Sequence, residues 1–156
     1  PATRIYIQFK NRFWENESLN GWGNTDLPEE IWQPSWDMSG NTGVLMSYLR
    51  WSAAEDMDTL NDDERNNAIL NRWESIFEGS INNFDKGVSK SWVLDEWSKG
   101  AWASPTTSQN ETLNESISEI EGRLHFAGEH ASNDRGWMQG ALFSGLRAST
   151  EIKNTN

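Results

Sequence analysis

The chain of 156 residues has no cysteine at all and only 13 basic residues against 24 acidic ones. The absence of cysteine excludes disulfides, thiolate catalysis and zinc-thiolate sites together, but it does not identify a compartment. A net charge of −11 and a pI near 4.5 exclude a nucleic-acid partner, because a polyanionic backbone needs a basic footprint. No apolar run approaches the length of a transmembrane helix, and no basic amphipathic helix suits a membrane surface. A soluble protein without a membrane partner is expected, with cytoplasmic and secreted locations both open.

Hydrophobic residues are also scarce, at 35%, and ten of the residues counted there are tryptophan. Large aromatics must therefore carry much of the packing. Ile5, Ile7 and Phe9 alternate with Tyr6, Gln8 and Lys10, which predicts a half-buried strand extended by Phe13-Trp14. Glycine, proline and asparagine punctuate residues 16 to 41 as a loop or hairpin, and residues 42 to 49 read as a second strand. Asn61 precedes an acidic first turn with Glu64 at capping distance. Ile69, Leu70, Trp73, Ile76 and Phe77 then form an apolar stripe, which predicts a helix running up to Gly79. Residues 88 to 95 suggest a further strand, and 104 to 121 a polar connection. Three N-x-[ST] triplets begin at Asn16, Asn110 and Asn114, and they arise readily by chance in a chain this rich in Asn, Ser and Thr.

The most informative stretch is GRLHFAGEHASNDRGWMQGALFSGLRAST, residues 122 to 150. Leu124 and Phe126 alternate with Arg123 and His125 up to Ala127-Gly128, as in a short strand. Gly136 is expected to open a helix in which Gly140, Ser144 and Ala148 recur every four positions, so that one face can approach a sheet or a flat ligand closely. The start of such a helix offers unpaired N–H groups and partial positive charge to a phosphate, a carboxylate or a ring carbonyl.

These residues resemble the C-terminal FAD-binding segment of the flavin-dependent amine oxidases, especially their L-amino acid oxidase branch. The elements that carry the resemblance are Phe126-Ala127-Gly128-Glu129, Gly136-Trp137-Met138-Gln139-Gly140-Ala141 and Ser144-Gly145-Leu146-Arg147-Ala148. Upstream, RIYIQFKNRFWENE, TDLPEE, GVLMSYLRWSAAED and DEWSKGAWA are similar to the family's substrate-domain strand, the following turn and strand, and the tryptophan-bearing segment before the FAD strand. The resemblance implies an α+β partial fold. Substrate-domain strands and a helix would occupy residues 1–121, and residues 122–156 would be the terminal strand-helix unit of an FAD-binding, Rossmann-like domain. The family's G-x-G-x-x-G fingerprint for the FAD diphosphate is absent from these residues. The chain is thus expected to be the last third of an oxidase, cut by proteolysis or truncated in its reading frame, since PATRIYIQF enters a strand almost at once. A separate N-terminal part carrying the fingerprint would be its partner, and the isolated chain would self-associate as an oligomer.

The resemblance also implies roles. Gly128, Glu129, Trp137, Met138 and Trp97 would bind cofactor, with Glu129 accepting from ribityl or ribose hydroxyls. Gly136, Trp137 and Thr107 would meet the substrate, an amino acid that is oxidatively deaminated to a 2-oxo acid and ammonia while dioxygen becomes hydrogen peroxide. Trp102 shares the segment that the family brings near the flavin. Pro105-Thr106 departs from the glycine pair common there. No residue of this chain is expected to be catalytic in its own right, because the flavin supplies the chemistry. His125 and His130 flank Glu129, but a strand and its following loop do not converge them on a metal. Two alternatives stand beside this reading: a monoamine or polyamine oxidase fragment, and a non-catalytic carbohydrate-binding module. The module would present its indoles flat in a row on a strand face.

Overall fold

The computed structural model describes residues 1–26, 29–114 and 116–155. Leu27 and Pro28 of the TDLPEE segment, and Glu115 in the triplet beginning at Asn114, lie outside the described residues. The chain forms two compact units, Pro1–Gly100 and Ala101–Asn156.

In the first unit β1 (Ala2–Phe9), β2 (Gly23–Asn24), β3 (Glu29–Trp32), β4 (Gly43–Arg50) and β5 (Phe84–Ser91) build an antiparallel sheet in the order β2-β3-β4-β1-β5. The period-two pattern of β1 appears as expected, with Ile5, Ile7 and Phe9 fully buried. Their face also carries Ile31, Leu45 and Leu49. Two helices, α1 (Trp51–Asp58) and α2 (Asp62–Glu74), contribute Ala53, Ala54, Ile69, Leu70 and Trp73 to the same core. Asn61 caps α2, accepting from Glu64 N while Glu64 accepts from Asn61 N, so two otherwise orphaned donors are satisfied.

Aromatic residues do carry the packing. Phe9, Phe13 and Trp14 meet edge to face with centroids 5.2 to 5.6 Å apart, a geometry the ring quadrupoles favour. Phe13-Trp14 does not extend β1, because both partner strands stop pairing at Phe9. The segment instead turns into a 3₁₀ helix, Phe13–Glu17, and Trp14 donates its indole N–H to Gln33 Oε1 at 3.1 Å. Buried Glu29 accepts from Thr25 Oγ1, Ser47 Oγ, Arg72 Nε and Trp73 Nε1, tying strand to helix.

Three other boundaries differ from expectation. WSAAED is helical rather than a continuation of strand: Ala53 and Ala54 are small, helix-favouring residues that let α1 sit against the sheet. The apolar stripe of α2 outlasts its helix, which is capped at Ser75. The last strand lies at 84–91 instead of 88–95. A short helix, α3 (Ser80–Asn83), feeds directly into it, and Asp95 halts it by accepting from Trp97 N and Ser98 N and pairing with Lys90. Those donors, Lys90 first, hold the Asp95 carboxyl well below the usual carboxylate range.

The second unit contains α4 (Thr107–Leu113), two 3₁₀ turns at Ser116–Ser118 and Glu129–Ala131, and α5 (Met138–Thr155). The polar connection at 104–121 is therefore partly helical. Thr106 and Gln109 form a second capping box, a T-x-x-Q signature legible in the sequence. Residues 122 to 128 are not a strand. Glu121 and Leu124 make one isolated bridge around Gly122, whose φ is +61°. A strand exists only through a neighbouring ladder, and the described residues of this unit provide none for Leu124 and Phe126.

Candidate functional site

The site centres on the loop that enters α5. Gly128 has φ +148°, and a Cβ there would come within 2.4 Å of the His130 ring, so no other residue fits without displacing it. Its N–H donates to Ser144 Oγ at 2.8 Å, binding the loop to α5. Arg147, one turn along, donates to the carbonyls of Ser118 and Phe126 and pairs with Glu151, which also meets His125 Nδ1 at 3.0 Å. His125 first, then Arg147, lowers the Glu151 carboxyl below its ordinary value.

Glu129 joins two segments. Its Oε1 accepts from Ala103 N at 2.6 Å and its Oε2 from Gly136 N at 2.8 Å. These are charge-assisted bonds, each worth about 1.5–3 kcal/mol. The carboxylate thereby brings Trp102-Ala103 beside Gly136, and Gly136 lies against the Trp102 ring. Gly136 has φ +78°, the left-handed region in which a side chain is strained. The helix opens two residues later than the sequence suggests, at Met138. Its first bond runs from Ala141 N to Trp137 O at 3.4 Å, which leaves the N–H groups of Met138 and Gln139 without an acceptor among the described residues. Both residues are exposed, as is Trp137, and Trp137 at 70% is no core residue of this unit.

The small-residue stripe has an occupant of a different kind from the expected sheet or flat ligand. Gly140, Ser144 and Ala148 are all buried; Ser144 accepts from Gly128 N of this unit's own loop, and a Cβ on Gly140 would stand 2.2 Å from the Asp134 carbonyl oxygen. The large side chains of α5 point elsewhere: Leu142, Phe143 and Leu146 are all exposed.

Gly128, Glu129, Gly136, Trp137 and Met138 are thus gathered on one turn of chain. Thr107 lies on the first turn of α4 with its side chain exposed, and it is not bonded to Glu129 or Gly136. Trp97 belongs to the first unit, where it is 87% exposed above the Asp95 turn. Sequence reasoning passed over Arg135. Its guanidinium donates to Asn110 Oδ1 and Asn114 Oδ1, each at 2.7 Å, and to His130 O at 3.2 Å. Only its position beside Gly136 could have drawn attention to it. Of the indoles, Trp14 and Trp73 are buried, Trp22 and Trp32 lie 5.6 Å apart and tilted by 33°, and Trp36, Trp51, Trp97 and Trp137 are exposed.

The family described as flavin containing amine oxidoreductase matches residues 1–153. The Bacillus subtilis (strain 168) protein YobN, provisionally named an L-amino-acid oxidase, is 37% identical over 97% of this chain and 33% of its own length. The L-amino-acid oxidase of Siganus canaliculatus is 34% identical over 97% of this chain and 30% of its own. The chain therefore spans about a third of the length of these relatives. Among solved structures, a redesigned putrescine oxidase superposes with a TM-score of 0.87 at 18% identity, covering 99% of this chain and 35% of that one. Cyclohexylamine oxidase from Brevibacterium oxydans IH-35A gives 0.85 at 18%, with the same coverage. At such identity these two show the fold.

Proposed function

The chain belongs to the flavin-containing amine oxidoreductases, and from that premise we propose that it is the C-terminal third of an FAD-dependent L-amino acid oxidase. The observation that carries this reading is the Glu129–Gly136 turn. A carboxylate holds a left-handed glycine at the mouth of a helix whose first exposed N–H groups, at Met138 and Gln139, are free to donate. The choice of amino acids as substrates rests on the names of the relatives in the two curated comparisons. A carbohydrate-binding module is not favoured, because the family match runs through nearly the whole chain.

The residues present suit a flavin. The positive end of α5, with the exposed residues Met138 and Gln139 at its start, suits a ring carbonyl that gathers negative charge. By the family resemblance Gly128, Glu129, Trp137, Met138 and Trp97 would hold it. Both oxygens of Glu129 already accept backbone N–H groups, and each keeps a second lone pair for a ribityl or ribose hydroxyl. When bound, FAD would supply the two-electron oxidation at the substrate α-carbon, with dioxygen reduced to hydrogen peroxide and the imino acid hydrolysed to a 2-oxo acid and ammonia. The protein's own part is to place the substrate. The Gly136 carbonyl accepts from the substrate amine, the Trp137 indole walls the side-chain pocket, and Thr107 lines it further. The Trp137 indole also keeps water from the reacting centre.

The remaining N-terminal part of the oxidase, bearing the dinucleotide fingerprint, would cover the exposed Leu142, Phe143 and Leu146 face of α5. Residues 1–121 would belong to the substrate domain and 122–156 to the FAD domain. Mixing the chain with that part should recover a flavin absorption band and amino-acid-dependent peroxide. Trp137→Ala should then change kcat/KM among amino acids while flavin occupancy persists. A complex that binds no flavin, or a Trp137→Ala complex with an unchanged substrate profile, would overturn the reading.

A further inference from the structure

We infer that Arg135 is a positioning residue, and that its fork onto Asn110 and Asn114 sets the direction in which Trp137 leaves the loop. The inference rests on the assignment of Trp137 to the substrate wall made above. Trp137 is 70% exposed and has little packing to orient it within its own unit. Its carbonyl accepts from Ala141 N over a long 3.4 Å, so much of its direction must come from the backbone that precedes it. The Gly136 N–H is held by Glu129 at 2.8 Å, but a glycine at φ +78° turns readily about its own backbone bonds, so the residue before it must be held as well. Arg135 supplies the second anchor.

Its two terminal nitrogens each meet an amide oxygen at 2.7 Å, and the two asparagines stand four residues apart, one turn of helix, at α4 and its C-terminal cap. The planar guanidinium fork reaches both oxygens at once, which a lysine ammonium on a flexible stem cannot do. Nε closes the arrangement on the His130 carbonyl at 3.2 Å, so the loop 130–135 is strapped to itself and to α4. All three acceptors are neutral, and the Thr106–Gln109 capping box braces the start of the helix that carries the asparagines. Arg135 is therefore bonded as a strut. In an acidic chain with few cations, it is spent on amide and carbonyl oxygens instead of carboxylates.

The test compares Arg135→Ala, Arg135→Lys, Asn110→Leu/Asn114→Leu and Asn110→Asp/Asn114→Asp in the flavin-loaded protein, using L-phenylalanine and L-alanine as probes. The alanine, lysine and double-leucine variants should change the ratio of kcat/KM for the two probes about tenfold. The change should have the direction produced by Trp137→Phe and be carried by KM, with the flavin band and kcat retained. The double-aspartate variant keeps both acceptors and should keep the wild-type ratio. In the 156-residue chain itself, the Trp137 indole N–H resonance, identified by its loss in Trp137→Phe, should move in the first three variants and stay in the fourth. A wild-type ratio in Arg135→Lys, or an unmoved indole resonance in Arg135→Ala, overturns the inference. If Trp137→Phe alters the ratio and no Arg135 variant does, the inference fails and the substrate-wall assignment stands. If Trp137→Phe itself leaves the ratio unchanged, the assignment fails and the substrate role of Arg135 falls with it.

Discussion

Glu129→Gln separates a ligand role from a structural one. In the family resemblance this carboxylate serves the cofactor, and its removal would be silent in flavin-free protein. The structure gives it a second task, since its two oxygens accept from Ala103 N at 2.6 Å and Gly136 N at 2.8 Å. Glutamine has the same size but one acceptor, so one of the two backbone donors must face an amide NH₂ group. Losing a charge-assisted bond and leaving a donor unmet costs about 1–3 kcal/mol, toward the lower end here because the half-buried site admits water. Hydrogen exchange at Ala103 or Gly136 in the flavin-free chain should therefore accelerate by about tenfold for every 1.4 kcal/mol lost. Glu111→Gln, an equal charge change on an exposed residue of α4, is the control. Unchanged exchange at both amides would refute the staple and return Glu129 to a ligand role alone. In the complete oxidase the same substitution should loosen FAD as well.

Other perturbations test other joints of the structure. Glu29→Ala strips four donors, including buried Trp73 Nε1 and the Arg72 guanidinium, and should cost the first unit about 3–5 kcal/mol in urea unfolding. Gly140→Ala sets a methyl group 2.2 Å from the Asp134 carbonyl oxygen and should lower the melting temperature and separate α5 from its loop, costing about 1–3 kcal/mol. Gly145→Ala, where nothing lies within 4 Å, should be neutral or slightly stabilising by the same melt. The Glu74 carboxyl accepts from Ile81 N at 2.8 Å and Gly79 N at 3.0 Å, and these bonds, Ile81 first, lower its pKa. Because the folded value lies below the unfolded one, the stabilisation is present above the ordinary carboxylate pKa and is lost as pH falls through the lowered value. Amide shifts of Gly79 and Ile81 should follow that acid titration by NMR, and Glu74→Gln should abolish it.

Much of this was legible along the chain, because the signals are local. The alternation of Ile5, Ile7 and Phe9 and the Asn61–Glu64 capping box each depend on a few neighbouring residues, and both appear in the structure. The family was legible for a related reason: FAGE and GWMQGA are short contiguous runs, and Gly128 and Gly136 within them both hold a positive φ that glycine adopts without strain. What tertiary structure decided depends on partners distant in sequence. Leu124 and Phe126 alternate as a strand would, yet form none, because a ladder needs a second chain segment. Phe13-Trp14 turns inward because both neighbouring strands stop pairing at Phe9. The spacing of Gly140, Ser144 and Ala148 announced a close contact but could not say that its own loop would fill it. The pairing of Glu129 with Ala103 spans 26 positions and that of Arg135 with Asn110 spans 25. Residue type alone shows that a carboxylate or guanidinium can accept or donate, whereas the groups that answer it are chosen only when the chain has folded.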